Sequence, residues 1–104
     1  MDMKDFGWER VPPEIETGDY WFDGKFLATA LVVQELSKAE LLLLYADIRN
    51  EVGQNGGQDF LQVYVQKEKN YKLFLIDNVT RSSLLAEEIA SEHNACTLMF
   101  NHEY

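Results

Sequence analysis

The residues whose types could do chemistry here are Asp77, His93, Cys96 and His102. A nucleophilic cysteine needs an exposed thiol beside an imidazole that can take its proton. His93, three residues before Cys96, is the nearest candidate base. The surroundings argue otherwise. Cys96 opens the apolar run Cys96-Thr97-Leu98-Met99-Phe100, where a cysteine behaves as a small buried hydrophobe. One cysteine and two histidines supply at most three zinc ligands, and neither C-x-x-C nor H-x-x-x-H spacing is present.

Other chemistries fare no better. Asp77-Asn78 follows an apolar run, a place where these side chains set turns rather than abstract protons. Glu87 and Glu88 are adjacent, and neighbouring helix positions do not face one another. Gly53, Gly56 and Gly57 lack the Lys and Ser/Thr of a phosphate loop. Lys67, Lys69 and Lys72 flank Glu68 and suit a solvated turn. No catalytic residue, metal or cofactor is therefore expected. A small enzyme or nucleotide-binding protein built on His93, Cys96 or His102 stands as the alternative from that class.

The elements that would position these residues can be read from periodicity. Residues 1–18 contain Pro12-Pro13 and little periodicity, and predict an N-terminal arm or loop with Phe6 and Trp8 docked on the body. Tyr20-Trp21-Phe22 and Lys25-Phe26-Leu27 around Asp23-Gly24 predict a hairpin. From Ala28 to Leu36 strand and helix compete. The reading favoured is a strand to about Ala28 and then a helical segment, with Thr29 near its start.

Ser37-Lys38-Ala39-Glu40 has the form of a capping box and predicts a helix over about 38–52, ended by Gly53. Leu41, Leu44, Tyr45, Ile48 and Val52 follow helical spacing and form its core face. Leu42 and Leu43 widen that stripe, as in a helix buried on two sides; the alternative is an exposed leucine patch. Phe60 to Gln66 and Tyr71 to Ile76, around the polar turn Lys67–Asn70, predict an antiparallel hairpin. Residues 80–94 read as a shorter helix capped by Ser82 or Ser83, and Cys96 to Phe100 as a final buried strand. The expected fold is a single small α+β domain with a mainly antiparallel sheet.

The last 45 or so residues also resemble a known group. Phe60-Leu61-Gln62-Val63-Tyr64, Lys72-Leu73-Phe74-Leu75-Ile76-Asp77 and Cys96-Thr97-Leu98-Met99-Phe100-Asn101-His102-Glu103-Tyr104 look like the tail of certain small uncharacterised proteins of bacterial plasmids and phages. Those end in a strand of the form T-x-L-L-P-x-E-Y. Asn101 stands here where that pattern has proline. The resemblance implies a mobile-element origin and supplies no catalytic residue.

Charge gives the remaining signal. The chain of 104 residues carries 18 acids and 9 Lys or Arg, a net charge of −9. That excludes a direct nucleic-acid binder, which needs a positive face. It also fits a protein that avoids anionic membranes, and no apolar run approaches the roughly 18 residues of a membrane span. With one cysteine no internal disulfide can form, and a cytoplasmic location is expected.

The acids are concentrated at the ends. Residues 1–23 hold seven acids and two bases, residues 82–104 hold four acids and no base, and the middle is neutral. Convergence of the ends would create an acidic face punctuated by aromatics. Its expected members are Trp8, Glu14, Glu16, Asp19, Tyr20, Trp21, Asp23, Glu87, Glu88 and Glu92. Such a face suits a basic protein partner, with acids steering and aromatics anchoring. The sequence thus points to a non-enzymatic interaction protein, and with the resemblance the expectation extends to a phage or mobile-element inhibitor of a basic, nucleic-acid-binding partner. The alternative is a homodimer formed through the leucine-rich helix or an open sheet edge.

Overall fold

The computed structural model describes residues 1–15 and 17–104; Glu16 lies outside them. Among the described residues five strands form one sheet in the order β1-β3-β4-β5-β2. They are β1 (Trp8–Val11), β2 (Lys25–Ala28), β3 (Leu61–Gln66), β4 (Tyr71–Asp77) and β5 (Ala95–Phe100). Among the described residues three α-helices accompany them: α1 (Ala30–Glu35), α2 (Lys38–Asn55) and α3 (Arg81–Leu85). All neighbouring strands are antiparallel except β2 and β5. The molecule is a single α+β domain, as its sequence predicts.

The long helix begins where its capping box places it. Ser37 Oγ accepts from the Glu40 amide at 3.2 Å, and a Glu40 carboxylate oxygen accepts from the Ser37 amide at 3.0 Å. Leu44, Ile48 and Val52 are buried, with Leu41 and Tyr45 packed beside them, so the expected core face is correct. The helix runs on to Asn55, past the predicted stop at Gly53. A side-chain bond from Asn55 to Glu51 supports the extra turn, and Gly56, at φ +82°, provides the backbone that ends it. Leu42 is 56% exposed, so this helix is buried on one side rather than two.

The ambiguous stretch resolves as read: a strand to Ala28, then α1 with Thr29 as its N-cap. The β3–β4 hairpin also forms as expected, with Asn70 at φ +56° in its turn.

Three expectations fail. The N-terminal residues are not simply an arm, because Met3–Phe6 forms a 3₁₀ turn and β1 joins the sheet as an edge strand beside β3. Burial of the Trp8 indole is the stabilising term that draws this segment onto the body. The Asp23-Gly24 hairpin does not form. Tyr20 instead bridges to Gln58, and β2 runs parallel to β5. Phe22, buried at φ +51°, breaks the extended run, and a Cβ on Gly24 would stand 2.1 Å from the Asn94 carbonyl oxygen. Gly24 therefore serves close approach rather than a two-residue turn. Lastly, the helix predicted over 80–94 stops at Leu85. Thr80 caps it instead of Ser82 or Ser83, and Glu87 at φ +58° prevents its continuation.

The core lies between α1, α2 and one face of the sheet. It is built from Trp8, Tyr64, Leu73, Leu75, Leu98 and Phe100 on the strands and Val32, Leu44, Ile48 and Val52 on the helices. Phe26 of β2 stacks on Tyr45 of α2 with ring centroids 4.5 Å apart, tying sheet to helix. No helix among the described residues is long and apolar enough to cross a membrane.

Candidate functional site: an acidic end of the sheet

The segment from Gly18 to Gly24 straps across the end of the sheet where β3 begins and β4 finishes. Gly18 and Tyr20 donate their amides to the carbonyls of Gly57 and Gln58 at 3.2 and 3.1 Å. Phe22 donates its amide to a carboxylate oxygen of Asp77 at 2.9 Å. From α2, the Tyr45 hydroxyl donates to the Phe22 carbonyl at 2.9 Å, and the Arg49 guanidinium donates to the Trp21 carbonyl. The loop is thus held by a buried carboxylate on β4 and partly buried side chains on α2, which fixes where its side chains emerge.

The strap in turn meets the segment that follows β4. The Asp19 carbonyl accepts from the Arg81 amide at 2.7 Å, and the Asp19 carboxylate accepts from the Ser82 amide at 3.1 Å. Asp23 accepts from Arg81 at 3.1 Å and from Asn94 Nδ2 at 3.0 Å. The Arg81 guanidinium lies 4.3 Å above the Trp21 ring, a cation–π contact. Glu87, Glu88 and Glu92 follow on the same segment with exposed side chains.

Of the residues predicted for an acidic face, Asp19 and Asp23 bond to Ser82, Arg81 and Asn94. Asp19, Tyr20, Trp21 and Asp23 adjoin the segment carrying Glu87, Glu88 and Glu92. Two of these acids have internal work: Asp19 satisfies the start of α3, and Asp23 holds Arg81 and Asn94. Trp8 does not belong to the face. It is fully buried near the other end of the sheet, pairs with Gln66 in register, and donates its indole N–H to Glu40 at 2.7 Å. Glu14 is exposed on a groove of about 380 Å³ that also touches Pro12, Ile15, Asp59 and Leu61. Glu16 falls outside the described residues.

Of the residues considered for nucleophilic or metal chemistry, Asp77 and Cys96 are buried register partners across β4 and β5, while His93 and His102 are exposed. Cys96 is buried, and burial first, then the nearby Asp77 charge, pushes its thiol up to about 12. A thiol so held is not a nucleophile at neutral pH. His93 precedes β5 and His102 follows it, so a strand of six residues, roughly 20 Å long, separates them. His102 stacks on Phe100 with centroids 5.5 Å apart. Among the described residues no group of three His, Cys, Asp or Glu side chains is placed to hold a metal.

Sequence reasoning took Asp77 for a turn residue. Its second oxygen does accept from the Val79 amide at 3.3 Å. What it missed was the larger role, the buried anchor for Phe22, 55 residues away in sequence. Burial pushes the Asp77 carboxyl above its ordinary value, against the pull of the two amides, and Asp23 adds to the rise. No local pattern marks such a contact. No family model, no curated protein and no solved structure matches this chain.

Proposed function

We propose that this chain is a non-enzymatic interaction protein that docks a basic partner protein on the acidic end of its sheet. The observation that supports this is the meeting of the strap with the segment after β4. It sets Asp19 and Asp23 beside the stretch carrying Glu87, Glu88 and Glu92, with Tyr20 and Trp21 half-exposed among them. The three glutamates supply long-range attraction, and the aromatics supply contact area. Where the partner is a nucleic-acid-binding protein, the carboxylates occupy the place of phosphates and the chain acts as an inhibitor. The resemblance to plasmid and phage proteins favours that version.

The test is capture of basic proteins from a lysate on the immobilised chain, compared with the triple variant Glu87→Lys, Glu88→Lys, Glu92→Lys. Binding should weaken steeply between ~0.05 and ~0.5 M salt, as screening shortens the reach of the acids. It should also be lost in the triple variant. A captured set unchanged by both salt and charge reversal rules the reading out.

A further inference from the structure

Arg10, Arg49 and Arg81, the arginines of the chain, are held in different ways. The Arg10 side chain is 19% exposed and pairs with both Asp47 and Glu51, at 3.1 and 3.0 Å. Arg49 donates to the Trp21 carbonyl. The Arg81 side chain is 41% exposed. Its guanidinium bonds to Asp23 at 3.1 Å and lies 4.3 Å above the Trp21 ring. An indole face beside a carboxylate suits a planar guanidinium, which stacks and donates from the same group. It suits a compact, strongly hydrated ammonium less well.

The cradle does not depend on its occupant. Asp23 offers its other oxygen to Asn94 Nδ2 at 3.0 Å. The Phe22 amide bonds to the buried Asp77, and Tyr45 holds the Phe22 carbonyl. Trp21 and Asp23, on either side of Phe22, are thus placed by groups other than Arg81. The Arg81 backbone is anchored apart from its side chain as well. Its amide donates to the Asp19 carbonyl at 2.7 Å, and Thr80 caps α3. An outward swing of the side chain therefore breaks a stack and an ion pair, both weak at a partly exposed site, and no backbone bond.

We propose that Arg81 fills this cradle as an internal substitute, and that an arginine side chain of the partner protein takes its place. The inference rests on the acidic-end reading given above and narrows its partner from basic to arginine-bearing. One guanidinium replaces another on the same indole face and the same carboxylate. Glu87, Glu88 and Glu92, exposed on the segment that carries Arg81, attract the incoming cation. The wild-type cradle is open only for the fraction of time that Arg81 is swung out, so its apparent affinity for an external arginine is lowered by that fraction.

Titration of the full chain with hexa-arginine and hexa-lysine peptides at ~0.1 M salt tests the proposal, read by calorimetry and by the Trp21 indole N–H resonance. Arg81→Gln clears the cradle. That variant should bind hexa-arginine about tenfold tighter than the wild type and shift the Trp21 resonance on binding. Its gain for hexa-lysine should stay within about twofold, because loss of one positive charge acts on both peptides alike. Asp23→Asn added to Arg81→Gln should cancel the arginine gain. Should Arg81→Gln not fold, Arg81→Lys keeps the charge and should still favour hexa-arginine over hexa-lysine by more than the wild type does. Equal gains for the two peptides, or no gain for either, overturn the proposal. If both peptides bind without preference and the triple glutamate variant loses both, the acidic-end reading stands and this one falls. If neither peptide binds any form, both fall.

Discussion

Two of the carboxylates that tie the N-terminal quarter of the chain to the body, Asp77 and Glu40, have opposite settings. Asp77 sits in the interior and receives the Phe22 amide. Glu40 sits partly exposed at the start of α2 and receives the Trp8 indole while closing its capping box. Burial dominates at Asp77, and its carboxyl is held above the ordinary range. Burial also pushes Glu40 up, but the bonds from Trp8 and Ser37 outweigh it and the net shift is downward. The same functional group thus favours its charged form in one clamp and resists it in the other. Water access decides which, because solvent relieves the cost of a charge that the interior leaves in place.

The clamps should also differ in what their loss costs. Trp8→Ala empties a fully buried indole site between β1, Tyr71 and α2. Its cost should be the largest of any single change considered, about 3–5 kcal/mol in urea unfolding. A loss below about 1 kcal/mol would mean that β1 contributes little to the folded state. At the other clamp, Asp77→Ala leaves the Phe22 and Val79 amides without their acceptor. Unmet buried donors of this kind cost about 2 kcal/mol. Hydrogen exchange at the Phe22 amide should quicken in that variant, while exchange in the β3–β4 hairpin should track only the global loss.

How far each region could be read from sequence follows from the range of its contacts. The capped helix and the β3–β4 hairpin are local: Ser37 and Glu40 are three residues apart, and the Lys67–Asn70 turn joins neighbouring strands. Periodicity and capping chemistry suffice for both. The strap was misread because Asp23-Gly24 carries a strong short-range hairpin signal, yet its fate is decided by Asp77 and Asn94, each more than 50 residues downstream. Tertiary contact outweighed local preference there. The acidic end was legible as composition, since charge counts need no geometry. That Trp8 leaves it and that Asp19 is tied to Ser82 depended on burial and on a contact spanning 63 residues. Which side of β3 is buried went unseen for another reason. The alternation in Leu61-Gln62-Val63-Tyr64-Val65-Gln66 announces a strand but not which side meets the helices, and here the buried side is Gln62, Tyr64 and Gln66.

The smallest expected effect is also the sharpest test of the contrast between the two carboxylates. Glu40 is held below its ordinary 4.5, so the folded state binds fewer protons than the unfolded chain around that pH. Its contribution is complete above about 4.5 and fades as pH falls through the lowered value. Asp77 is held above its ordinary 3.8, so the folded state binds more protons there. Its contribution is complete below 3.8 and is lost as pH rises through the raised value. The variants Glu40→Gln and Asp77→Asn remove one titration each. Measured by urea unfolding from neutral pH down through the carboxylate range, the stability gap between wild type and Glu40→Gln should narrow as pH falls. The gap between wild type and Asp77→Asn should move the other way, because protonation relieves the wild-type chain of a buried charge that the variant never carries. Two gaps that narrow together would mean that burial does not set the Asp77 proton, and the contrast between the clamps would reduce to one of position alone.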